Sequence, residues 1–159
     1  MPMYYGWLVV LHVLCAIWVS VSAFGGTVLR ASVKRAPDFP ARVAVLRAGV
    51  RIGLIFGLGG GLAVGASGLT LMALNPAWRQ ARWVHASIGL WLLMVLLNML
   101  LIGPRMRRLL AAGEASLAAG GGPNEEFRNL AANPVPAWLA NLPPVAILIF
   151  VVLMVLKPF

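Results

Sequence analysis

Residues 5–29 contain no Asp, Glu, Lys or Arg, and this run limits what the chain can fold into more than any other feature. A bilayer core about 30 Å thick is crossed by about 20 apolar residues of helix. In lipid, only a helix or a closed barrel satisfies its own backbone polar groups. Three more apolar runs follow, at about 49–74, 83–102 and 138–156. Soluble domains are about a quarter charged, whereas this chain is 11% charged and 61% hydrophobic, with a mean hydropathy of +0.90. The expectation is an all-α integral membrane four-helix bundle, one transmembrane domain over residues 1–159. The first run is longer than the ~7–15 apolar residues of a signal peptide and no basic residue precedes it, so it reads as a retained helix.

The basic residues set the expected topology. Arg30, Lys34, Arg35, Arg42, Arg47 and Arg51 surround the loop at 30–48, and Arg105, Arg107, Arg108 and Arg128 lie in the loop at 103–137. Only Arg79, Arg82 and Lys157 fall on the other side. Basic loops stay cytoplasmic, which places both termini outside, in the periplasm of a bacterial inner membrane. Tyr4, Tyr5, Trp7, Trp78 and Trp83 then form an outer aromatic belt. The net charge of +9 is explained by these loops, so no nucleic-acid partner is inferred from it and the first partner is the lipid bilayer. Residues 105–119 read as an extension of the third helix, broken by Gly120-Gly121-Gly122-Pro123, with a short helix after Asn124. Pro143-Pro144 means either a kink in the fourth helix or a turn before it.

Two features carry possible chemistry. The first is a glycine at every fourth position of the second run: Gly49, Gly53, Gly57, Gly61 and Gly65. Residues four apart share a helix face. Such a face admits close helix–helix contact, or gives a planar cofactor a flat wall, with Gly57 and Gly61 at its centre. The second is the pair of histidines, His12 in the first run and His85 in the third, the chain's only two. Ionisable groups inside membrane spans are costly and are functional candidates by default. Both lie in the outer half, and each has a small neighbour one turn deeper, Ala16 after His12 and Gly89 after His85. Imidazoles on facing helices hold haem iron in bundles, so His12 and His85 are candidate metal ligands, with Ala16 and Gly89 leaving room for the ring. A copper site is the alternative, because thioether and imidazole suit Cu(I) and Met1-Pro2-Met3 stands at the outer end. The bland alternative is a structural role with no cofactor. Cys15 is a packing residue. The acids Asp38, Glu114, Glu125 and Glu126 all fall in loop segments, so no intramembrane carboxylate relay and no orienting acid for a catalytic triad exists.

Leu11-His12-Val13-Leu14 with Trp18 and the small residues Ser20 to Gly26, the glycine-rich second run, Trp83-Val84-His85-Ala86-Ser87-Ile88-Gly89-Leu90 and Gly103-Pro104-Arg105 together resemble the copper-resistance D superfamily of small bacterial membrane proteins, especially members of unknown function. More distantly, they are similar to the four-helix membrane protoporphyrinogen oxidase of bacterial haem synthesis. In that oxidase a first-span histidine and a third-span lysine form the functional pair. His12 matches the histidine, but the third run has no lysine and His85 stands near its start. The resemblance implies b-haem binding more than protoporphyrinogen oxidation. The expected function is a b-type haem-binding electron-transfer protein or a subunit of a larger membrane redox complex, rather than a free-standing enzyme. Copper handling and a cofactor-free structural subunit are the alternatives.

Overall fold

The computed structural model describes residues 3–158, which form helices and no strand. Four helices are long and apolar enough to cross a membrane: Tyr4–Arg35, Phe39–Leu74, Arg82–Ala118 and Trp138–Leu156. The first packs on the second and the fourth, and the third packs on the second and the fourth. The chain order therefore runs round a square, with the first and third helices on its diagonal. Most large apolar side chains face outward, among them Leu11, Ile17, Leu100 and Val155. That is the expected pattern where lipid covers the bundle, since lipid tails offer no hydrophobic penalty to exposed leucine or valine.

The segment 30–48, expected as a loop, is helix on both sides of a three-residue break. The first helix continues to Arg35, and the second starts at Phe39 with Asp38 as its N-cap, its carboxylate accepting from the Ala41 amide at 2.7 Å. Pro40 stands in the first turn, where its missing N–H costs nothing. The third helix likewise runs through Gly103-Pro104, where its apolar span stops, into the extension expected over residues 105–119. A π-helical turn, Asn98–Ile102, immediately precedes that pair. A proline ring clashes with the carbonyl four residues back, and the wider π turn re-registers that carbonyl. The fourth helix, Ala137–Leu156, holds Pro143 and Pro144 inside it and is one continuous element.

These extensions build a second core outside the membrane. Leu46 from the second helix, Ala112 from the third and Phe127 from the short helix Glu125–Ala132 are buried together. Val43 is fully buried beside them, and a Cβ on Gly113 would stand 2.9 Å from Val43 Cγ2 and 3.3 Å from Phe127 Cε2. Asn124 caps the short helix, its side chain accepting from the Phe127 amide at 2.8 Å. At the opposite end Tyr5 meets Trp78 edge-on, Trp78 meets Trp83, and the Lys157 ammonium lies 5.8 Å from both indoles.

Candidate functional site

His12 lies against the second helix. Its Nδ1 is 2.9 Å from Ser67 Oγ, and Ser67 is buried. The serine hydroxyl also reaches the Ala63 carbonyl at 2.8 Å. A hydroxyl has one proton to give. With that proton on the Ala63 or Val64 carbonyl, Nδ1–H of His12 is the donor to Ser67 Oγ and Nε2 keeps its lone pair. The glycine at position 68 makes the contact possible: a Cβ there would stand 3.0 Å from His12 Cε1. Ser67 lies about as far from the C-terminal end of the second helix as His12 does from the N-terminal end of the first. That matched depth was readable in the sequence, but its significance depended on which faces met.

The structure does not bring His85 to His12. His85 is exposed, and its Nδ1–H donates to the Ala81 carbonyl one turn back at 3.0 Å. The buried face of this part of the third helix is Trp83, Val84 and Ser87. Gly89 shares the outward stripe with His85, is itself exposed and has nothing within 4 Å of a Cβ position. Ala16 remains one turn below His12, half-buried, with its carbonyl accepting from Ser20 at 2.7 Å. The two imidazoles therefore lie on diagonal helices, one turned toward the second helix and the other turned out.

The glycine run faces two neighbours instead of one. A π-helical turn, Gly53–Gly59, interrupts the second helix. Each π turn inserts extra winding, so the four-residue register does not continue on a single face. Gly57 sits beside Ser22, whose Oγ would be 2.8 Å from a Cβ there, with Asn98 Nδ2 at 3.6 Å. Gly60 faces the backbone of Val19 on the first helix, whose N would be 3.1 Å from a Cβ there. Beyond it, Gly65 meets the indole of Trp91 from the third helix, where any Cβ would overlap the six-membered ring. Trp91 Nε1–H donates to the Gly61 carbonyl at 2.7 Å, while a Cβ on Gly61 itself would have no neighbour within 4 Å. The flat wall expected at Gly57 and Gly61 does receive a planar group at its Gly61–Gly65 end. That group is an indole of the same chain.

The thioethers of the copper alternative fall mostly outside what the structure describes. Met1 and the Met3 side chain lie outside the described residues, and Met72 packs against the Trp83–Val84–Leu153 cluster. Among the described residues no group of three or more His, Cys, Asp or Glu side chains is placed to hold a metal ion.

Fold and site together define a multi-pass helical membrane protein with a polar contact, His12–Ser67, between its first two helices. The chain belongs to the family described as predicted integral membrane protein (DUF2269), whose model matches residues 7–158. The match does not extend to the copper-resistance D superfamily or the protoporphyrinogen oxidase that the motifs resemble. No curated protein and no solved structure matches the chain.

Proposed function

We propose that this protein is a membrane redox subunit that carries a b-type haem on His12, with both termini on the periplasmic side of a bacterial inner membrane. The observation that supports the reading is the His12–Ser67 contact at 2.9 Å. Metal-ligating histidines donate their other ring N–H to a second group, which fixes tautomer and ring orientation. Ser67 would do this for His12 and would leave Nε2 as the ligand atom. One ligand from this chain, His12, would hold the haem rather than His12 and His85 together, because His85 faces outward. A haem there would supply a one-electron carrier in the outer half of the membrane. Ser67 would hold the imidazole plane, Gly68 would let the ring sit against the second helix, and the apolar first helix would exclude water.

The test is the visible spectrum of protein purified in detergent from haem-replete cells. The reading expects a Soret band that His12→Ala abolishes and His85→Ala leaves in place. Loss of the band with both variants would restore the two-histidine arrangement. A second reading, a cofactor-free structural subunit, is favoured by the Trp91 indole already filling the glycine wall. A colourless, metal-free protein with unchanged helicity would establish it, and colourless protein containing copper would support copper handling.

A further inference from the structure

On the basic side of the bundle a groove of about 360 Å³ opens between the third helix and the start of the fourth. Its floor is apolar, with Leu100, Leu101, Pro104 and Leu139, and its rim carries Arg105 and Arg108. Leu100 is 69% exposed and Leu101 52% exposed, so the floor is continuous with the surface that lipid covers. The two arginines stand three apart on one helical face. Arg105 is the first charged residue after the third span's apolar run, which puts both guanidiniums at headgroup depth. Trp138, 68% exposed at the start of the fourth helix, marks the same level.

The guanidiniums have donors to spare. Arg105 spends one N–H on the Leu130 carbonyl at 3.2 Å. Neither arginine forms an ion pair among the described residues, where the pair formed is Arg47–Glu114. Glu125 and Glu126 border the adjoining bay on the aqueous side, which Arg105 and Arg108 also line. They bound the site on that side, while Arg105 and Arg108 also line the apolar groove and Arg108 is exposed.

From this juxtaposition we infer that the groove binds an anionic glycerophospholipid, its phosphate between Arg105 and Arg108 and an acyl chain along Leu100, Leu101 and Leu139. Arginine's planar fork matches phosphate oxygens, and basic pockets between helices at this level suit anionic headgroups. A free phosphate would use the arginines but leave the leucine floor unused.

Native mass spectrometry of the full chain in neutral detergent tests this, with phosphatidylglycerol, phosphatidylcholine and inorganic phosphate as probes. Phosphatidylglycerol should bind in preference to phosphatidylcholine and resist competition by millimolar inorganic phosphate. Arg108→Gln, an exposed residue whose loss breaks no internal bond, should weaken phosphatidylglycerol binding about fivefold, and Arg105→Gln with Arg108→Gln about thirtyfold. Arg79→Gln, at the opposite end, should leave it unchanged. Equal retention of both lipids, an unaffected Arg108→Gln variant, or displacement by inorganic phosphate would overturn the assignment.

Discussion

Gly65→Ala adds a single methyl group, yet the structure assigns it a large effect. The new Cβ would overlap the Trp91 indole, whose Nε1 would lie only 2.8 Å away. Forcing a methyl into a packed interior costs about 1–3 kcal/mol. Moving the indole also breaks its bond to the Gly61 carbonyl, about 0.5–1.5 kcal/mol. The helix gains back about 0.5–1 kcal/mol when alanine replaces glycine. The net loss is about 2 kcal/mol, or a fall of roughly 4–8 °C in Tm for a chain of this size. Cys15 provides the assay, because it is the only cysteine and is 7% exposed. A thiol-reactive fluorophore therefore reports opening of the bundle at one residue. Gly61→Ala is the control, with nothing within 4 Å of its Cβ, and should be neutral or stabilising. In a Trp91→Ala background, Gly65→Ala should lose its penalty, as coupled neighbours do. Equal Tm values for wild type and Gly65→Ala, or an equal penalty with and without Trp91, would refute the indole-on-glycine packing.

Gly68→Val should displace the His12 ring, whose Cε1 would lie 3.0 Å from the new Cβ; the visible spectrum of this variant should match that of His12→Ala. Phe127→Ala should cost the extramembrane core about 3–5 kcal/mol, read as lost hydrogen-exchange protection over residues 125–132 while the apolar spans keep theirs. A periplasm-active reporter fused after Phe159 should be active and a cytoplasm-active one silent, and the reverse would invert the orientation drawn from the basic residues.

The four helices were legible because bilayer thickness turns an apolar run directly into a span. The short helix after Asn124 was legible from its cap and its two glutamates. The extension of the third helix over 105–119 was legible, but the device that carries the helix through Gly103-Pro104, a π turn over Asn98–Ile102, was not. The segment at 30–48 was misread because charge density was taken for loop. Its arginines alternate with Val43 and Leu46, which are buried beside Phe127 and thus belong to an amphipathic helix outside the membrane.

The site was legible in depth and not in azimuth. Counting residues from a span's end at 1.5 Å per residue places His12 and His85 both in the outer half, and nothing in that count says which way either side chain turns. In the third helix the direction was partly written in the flanking residues. Trp83, Val84 and Ser87 are buried, and a residue one step from Val84 is turned about 100° away from it at 3.6 residues per turn. His85 accordingly falls on the exposed stripe with Gly89. For the second helix even that arithmetic fails. The π turn at Gly53–Gly59 rotates everything beyond it, sending Gly60 and Gly68 toward the first helix and Gly65 toward Trp91 on the third. Small residues at four-residue spacing announced a close approach. Which helix approached, and whether the space was left for an outside ligand or taken by an indole of the chain itself, depended on that local winding.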